Sequence, residues 1–237
     1  SIKQQLLKEM IEKTIFAVST DETRQVLNGV NLDVTKDGFV MVATDGHRLS
    51  YVKREGKNKE AIGAIIPPKA MFEIHKVLAE TEKDLEVGFS QNQIVFKLNE
   101  TIIISKLIDG QFPNYQQIIS KELSKKIAIG RELLYAALKR ISIMAVDKTN
   151  SIKMKFEKNK LILTAVAQEI GEAEEELELE YEGDEVAIAY NVKYLLDLLK
   201  VLDCKSIEFK VSGTTSPAII KPGDDNDYIY VVMPIRI

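Results

Sequence analysis

The chain carries one pattern twice, and a duplication constrains the fold more than any other feature of a sequence. Residues 5–19, QLLKEMIEKTIFAVS, share an amphipathic helical pattern with residues 133–147, LLYAALKRISIMAVD, at an offset of 128. Further along, PPKAMFEIHKVLAE (67–80) parallels NVKYLLDLLKVLDC (191–204) at an offset of 124. Each second helix leads into alternating strand patterns. These are DLEVGFS and QIVFKL in the first copy, SIEFKVSG and AIIK in the second. The economical reading is two homologous domains, each with two helices and several strands. A length of 237 residues divides into two domains of ordinary size.

In the second copy a strand, KKIAI (125–129), immediately precedes the first helix. The equivalent strand of the first copy is expected upstream of Ser1, so the chain reads as starting inside its own first domain. The join between copies falls near residues 109–126, where Gly110 and Pro113 break the periodicity and Lys/Ser-rich sequence follows. Phe112, Tyr115, Ile118 and Ile119 predict that this loop packs onto its surroundings.

Composition narrows the function classes. No apolar run approaches the ~20 residues needed to span a bilayer. The single cysteine, Cys204, has no partner for an internal disulfide and no Cys/His cluster around it, which favours a reducing, cytoplasmic setting. A net charge of −4 argues against coating nucleic acid by bulk attraction.

The charge is nevertheless segregated. At 100° per residue, Met71, Ile74, Val77 and Leu78 form one face of the first copy's second helix, and Lys69 and Lys76 lie opposite, with Glu73 nearby. In the second copy Leu195, Leu198, Leu199 and Leu202 face the core, while Lys193 and Lys200 share the polar face with Asp197. Both lysine pairs recur at the offset of 124. Lys8 and Lys139 project from the polar sides of the first helices, diluted by Glu9, Glu12 and Glu132. Lysines at fixed heights on several helices suit a phosphate backbone and read no bases. The acidic run GEAEEELELEYEGDE (171–185) reads as a half-buried strand with a carboxylate-rich outer face.

One motif invites a catalytic reading. VATDGHRLS (42–50) sets Asp45, Gly46, His47 and Arg48 directly after an apolar strand, in a chain with two histidines. An Asp-x-His pair can serve as a general base. However, the chain has no G-x-S-x-G, no P-loop, no G-x-G-x-x-G and no H-E-x-x-H. The second copy carries TAVAQEIGEAE (164–174) in the corresponding place, so the turn is a specialisation of one copy. It suits binding, with Thr44, His47 and Arg48 as donors and Leu49 as an apolar contact.

ATDGHRL (43–49), SKLIDGQFPNY (105–115), NVKYLLDLL (191–199) and YVVMPIRI (230–237) together closely resemble the bacterial DNA polymerase III beta subunit family of sliding clamps. The resemblance runs from end to end and covers the second and third of that family's three domains. It implies an α+β DNA-clamp fold of two homologous domains, each with two helices packed on antiparallel sheets. Residues 1–118 are expected as the clamp middle domain, its first strand missing upstream, and 119–237 as the C-terminal domain. It also implies a non-catalytic processivity factor without metal or cofactor. Its partners would be duplex DNA, encircled without sequence preference, and the replicative polymerase, clamp loader and repair polymerases, docked through linear motifs. The ring would be a homodimer of the full-length parent, cytoplasmic and not membrane-bound. DNA-facing positions would be Lys8, Lys69, Lys76, Lys139, Lys193 and Lys200.

Carried over by motif, the peptide-docking residues would be Thr44, Gly46, His47, Arg48 and Leu49 of the turn, with Leu27 beside them. The interdomain loop would add Pro113, Gln117 and Ile118, and the helix start Asn191 and Tyr194. The carboxy-terminal segment would add Val231, Met233, Pro234, Ile235 and Arg236. The apolar members, Leu27, Leu49, Ile118, Val231, Met233 and Ile235, are expected to form a cleft for aromatic or aliphatic anchors. Gln116 and Gln117 stand where some members carry basic residues, and Thr149 where an aromatic can occur. Three other readings stay open at this point: a complete two-domain clamp closing as a trimer, a peptide-binding adaptor with no DNA role, and a DNA-processing hydrolase using Asp45 and His47.

Overall fold

The computed structural model describes residues 1–237 except 121, 122, 124, 146–148, 168–170 and 237. It divides into two compact units, Ser1–Tyr115 and Gln116–Ile237.

In the N-terminal unit, β1 (Ile2–Lys3) runs straight into α1 (Gln4–Glu12), followed by short 3₁₀ turns at Ile15–Ala17 and Gln25–Leu27. Then come β2 (Val30–Thr35), β3 (Gly38–Thr44), β4 (Arg48–Glu55) and β5 (Ile62–Ile66), α2 (Pro68–Val77), and β6 (Asp84–Phe89), β7 (Gln93–Leu98) and β8 (Thr101–Lys106). The strands make two antiparallel arrays, ordered β5-β2-β3-β4 and β1-β6-β7-β8. In the C-terminal unit a single helical turn, α3 (Gln116–Ile119), precedes β9 (Lys125–Gly130) and α4 (Arg131–Ile141). Next are β10 (Ser151–Glu157), β11 (Lys160–Ala167), β12 (Gly171–Glu178), β13 (Val186–Asn191), α5 (Val192–Val201), β14 (Ser206–Val211), β15 (Ala218–Pro222) and β16 (Tyr228–Val232). Their orders, β13-β10-β11-β12 and β9-β14-β15-β16, repeat those of the first unit strand for strand.

Local chemistry accounts for the element ends. Pro68 opens α2 at a position where a missing N–H costs nothing. The Asn191 side chain accepts from the Lys193 amide at 2.9 Å and caps α5. Asn99 and Asn159 take positive φ in the two-residue turns β7–β8 and β10–β11, as tight hairpins demand. Within each unit the two helices touch, and their apolar stripes are buried. Leu7, Met10, Met71 and Ile74 enter one core; Leu134, Leu138, Leu195, Leu198 and Leu199 enter the other, beside Phe156, Tyr190 and Phe209.

Four expectations are corrected. Part of the strand expected upstream of Ser1 lies inside the chain: Ile2 and Lys3 pair with Leu85 and Asp84, as Ile129 and Gly130, the last two residues of β9, pair with Ile207 and Ser206. Two residues are too few to show alternation. The first helices superpose at an offset of 127, since buried Leu7, Met10 and Ile11 match Leu134, Ala137 and Leu138. The letters that suggested 128 lie beyond the helices, where Ala17 and Ala145 are both buried at that offset, so the register shifts by one residue after the helix. Val77 is 41% exposed because α2 ends there, and Leu78 turns inward alone. The acidic strand ends at Glu178, and Glu175 lies on its inner side opposite buried Leu163. There Arg140 of α4 donates to both of its carboxylate oxygens, at 2.6 and 2.8 Å. Residues 168–170, the centre of the second copy's counterpart to the TDGHRL turn, lie outside the described residues.

Candidate functional site: a hairpin turn, a carboxy-terminal segment and the lysine-bearing helices

The TDGHRL residues close the β3–β4 hairpin. Asp45 Oδ1 accepts from the amides of His47 and Arg48 at 2.9 and 3.0 Å, and its Oδ2 accepts from Arg48 Nε at 3.0 Å. The Thr44 hydroxyl donates to the Arg48 carbonyl at 2.6 Å and accepts from the Gly46 amide at 3.1 Å. Gly46 takes φ 89°, which an L side chain rarely adopts. Arg48 is turned inward: it donates to the Phe16 carbonyl at 2.6 Å and lies 5.6 Å above the Phe16 ring. The side chains of Thr44, Asp45 and Arg48 are therefore engaged in holding the turn. Both Asp45 oxygens are directed into the turn by these donors and not toward a substrate. His47 is exposed at the tip.

Sequence reasoning missed Arg24. Its Nη1 lies 2.7 Å from where a Cβ on Gly46 would stand, and its Nε binds Asp21 at 2.9 Å. Arg24 therefore spreads a guanidinium across the turn, and Leu27 follows it in the 3₁₀ turn. Nothing local in DETRQVL signals this, because the contact depends on Gly46 lacking a side chain. The linker reaches the same segment: a Cβ on Gly110 would meet Val26 Cγ1 at 2.6 Å. Pro113 is exposed, and Tyr115 anchors the loop by donating to Asp33 Oδ2 at 3.0 Å, its ring 5.9 Å from Tyr51. Burial, reinforced by the Asp33 carboxylate, pushes the Tyr115 phenol well above its ordinary value.

In the C-terminal unit, the carboxy-terminal segment leaves β16 and crosses β13, where the Ile235 amide donates to the Ala189 carbonyl at 2.8 Å. The Tyr230 hydroxyl donates to the Tyr194 carbonyl at 2.9 Å. The capping residue Asn191, Tyr194 and Ile235 are thus gathered near the start of α5. Met233 is 41% and Ile118 37% exposed, Pro234 and Ile235 are half-buried, and Gln117 and Arg236 are exposed. One expectation changes here. Leu27, Leu49 and Val231 are buried core members, at 7, 4 and 2% exposure, because each sits in or beside a paired strand. The apolar surface these residues offer is carried by Ile118 and Met233, with Pro234 and Ile235.

The lysines divide by unit. Lys8 is paired with Glu80 at 3.1 Å and Lys76 with Glu73 at 2.8 Å, while Lys69 is exposed. Lys139, Lys193 and Lys200 are exposed on the outer sides of α4 and α5. Among the described residues no cluster of three or more His, Cys, Asp or Glu side chains could hold a metal ion, and no helix is long and apolar enough to cross a membrane. Burial, with Asp224 nearby, pushes the Cys204 thiol up, away from nucleophile chemistry.

Residues 1–114 match the family model for the central domain of the DNA polymerase III beta subunit, and residues 116–236 match the model for its C-terminal domain. The chain belongs to the DNA polymerase III beta subunit family. It is 37% identical over 240 residues to the beta sliding clamp of Synechococcus elongatus, covering 98% of this chain and 64% of that one. To the beta sliding clamp of Staphylococcus aureus it is 35% identical, covering 98% of this chain and 62% of the relative. A crystal structure of the Pseudomonas aeruginosa DNA polymerase sliding clamp superposes with a TM-score of 0.95 at 33% identity, over 100% of this chain and 66% of that one. The chain thus spans a little under two thirds of the length of the curated relatives it matches. The two-helix, two-array unit seen twice here is the clamp fold.

Proposed function

We propose that this chain is the central and C-terminal domain portion of a sliding clamp, a non-catalytic processivity factor. In its longer parent it would close a homodimeric ring around duplex DNA. The helices would meet the phosphates, and polymerases, clamp loader and repair proteins would dock on it through short linear peptides. The observation that carries this reading is the end-to-end likeness to the Pseudomonas aeruginosa sliding clamp, at a TM-score of 0.95 and 33% identity. Supporting it, exposed lysines stand on the helices of both units. The engaged Asp45 carboxylate speaks against the hydrolase reading.

For peptide docking, the reading rests on exposed apolar groups beside polar ones. Met233 and Ile118 would take aliphatic or aromatic anchors, with Gln117 and Arg236 as polar contacts. Methionine is flexible and polarizable enough to fit varied partners. The test is fluorescence anisotropy of a labelled Gln-Leu-x-Leu-Phe peptide titrated with this chain and with a Met233→Ala, Ile118→Ala variant. Both residues are exposed, so the variant keeps its core. Saturable binding, weakened by ~1 kcal/mol or more in the variant, is expected. Equal binding by both proteins would remove these residues from the docking surface.

A further inference from the structure

The six lysines are equivalent in sequence but not in their surroundings. Helices α1 and α2 carry Lys8, Lys69 and Lys76 and the carboxylates Glu9, Glu12 and Glu73, a formal balance of three and three, with Glu12 bound by His75. Two of the three lysines are also bound: Lys8 reaches Glu80 and Lys76 reaches Glu73. Glu73 also feels the charge of Lys69, and hydrogen bonding from Lys76 holds its carboxyl below the usual range. The neighbouring cations Lys13 and Arg54 are taken up by Glu9, at 2.6 and 2.5 Å.

Helices α4 and α5 differ. They carry Arg131, Lys139, Arg140, Lys193 and Lys200 against Glu132, Asp197 and the Glu175 that engages Arg140, an excess of two positive charges. The arginines are engaged: Arg140 by Glu175, and Arg131 by Glu132 and the Leu199 carbonyl at 2.9 Å. Among the described residues the ammonium groups of Lys139, Lys193 and Lys200 have no hydrogen-bond or ion-pair partner. The Arg131–Leu199 bond sets the start of α4 beside the end of α5, so the two helices run side by side with opposite polarity. Lys200 therefore lies toward one end of the pair and Lys139 and Lys193 toward the other.

A cation already paired with a carboxylate gains little from a phosphate, because the incoming phosphate must displace the carboxylate and repel it. A free ammonium displaces only condensed counterions from the DNA, and their release drives association. We infer that the grip of this chain on duplex DNA comes from its C-terminal unit, through Lys139, Lys193 and Lys200, while the α1–α2 surface is a nearly neutral wall. This rests on the clamp reading above and assigns the work within it. A neutral wall on one domain and a lightly charged one on the next lets the duplex be held without being clamped. Each interaction is a lone ammonium on a phosphate and carries no base information.

The test is fluorescence anisotropy of a labelled 20-base-pair duplex with the intact chain, at several salt concentrations from about 20 to 200 mM. Two triple variants are compared, Lys139→Gln/Lys193→Gln/Lys200→Gln and Lys8→Gln/Lys69→Gln/Lys76→Gln. The first is expected to weaken binding at low salt about tenfold and to flatten the salt dependence by up to about 0.9 for each phosphate left without its lysine. The second is expected to change affinity less than about twofold. Lysine-to-arginine replacement at 139, 193 and 200 keeps the charge and should restore wild-type affinity, which separates charge from folding. Equal losses in the two triples, or a larger loss in the second, overturn the assignment and leave the clamp reading standing. Absence of salt-sensitive binding by the wild-type chain overturns the assignment alone, because the clamp reading places the duplex inside a ring closed by the longer parent.

Discussion

Asp45 and Arg48 form an ion pair at 3.0 Å inside a single hairpin, with only 15 and 10% of their side chains exposed. Because Arg48 also reaches Phe16, the pair ties the turn to the chain that follows α1. Removing Asp45 takes the carboxylate from a guanidinium that is little hydrated, which costs more than the pair itself contributes. Asp45→Ala is expected to lower stability by about 2 kcal/mol in urea denaturation, while His47→Ala, at the exposed tip, stays within about 0.5 kcal/mol. Equal effects would mean that the carboxylate does not hold the turn.

Gly46→Ala tests the backbone of the same turn. At φ 89° a methyl group is strained by ~1–2 kcal/mol, and it would stand 2.7 Å from Arg24 Nη1. The expected outcome is a destabilisation of that size with Arg24 displaced, visible as a shift of its Nε–H resonance. An unmoved resonance would show that the arginine does not depend on the missing Cβ.

Tyr115 holds the linker through Asp33, and the bond has a titration signature. Asp33→Asn removes the negative charge beside the phenol, so the Tyr115 pKa should fall toward its ordinary value, read by ultraviolet difference titration. Tyr115→Phe should cost about 1 kcal/mol, since the lost hydrogen bond goes to a charged acceptor in a half-buried site.

Glu9 supplies a pH dependence. Burial opposes its ionisation, but hydrogen bonds from Arg54 and Lys13 outweigh that and hold its carboxyl below the usual 4.5. The unfolded chain therefore binds more protons in the acid window, so the stabilisation is present above about pH 4.5 and is lost as pH falls through the depressed value. Glu9→Gln should lose no more than about 1 kcal/mol at pH 7, given that the side chain is partly exposed. The difference from wild type should shrink on acidification. A difference that is constant from pH 7 to pH 3 would exclude the carboxylate as its source.

Tyr190 is fully buried, and its hydroxyl has no hydrogen-bond partner among the described residues. Tyr190→Phe removes an unsatisfied polar atom and keeps the ring against Phe209, 5.9 Å away. Stability should be unchanged or raised by up to ~1 kcal/mol, a gain in Tm of about 2–4 °C by calorimetry. A clear loss would reveal a bound water on the hydroxyl.

Much of this was legible in the order of residues. The stripe Leu195, Leu198, Leu199 and Leu202 and its counterpart Met71, Ile74 and Leu78 are local periodicities, and local periodicity is what determines an amphipathic helix. The duplication, the strand alternation and the motifs that identify the family are likewise written in the sequence, as is the Asp-Gly turn. What the tertiary structure decided is the state of each charged or apolar group. Leu27, Leu49 and Val231 look like an open cleft in a motif and are core residues in the fold. Lys8 and Lys139 look alike on helical wheels. One is paired with Glu80, 72 residues away, and the other is free among the described residues. Arg54 finds Glu9 across 45 residues and Arg140 finds Glu175 across 35. Burial of an apolar face follows from spacing along one element, whereas the effective charge of a side chain depends on partners that only folding brings within hydrogen-bonding distance.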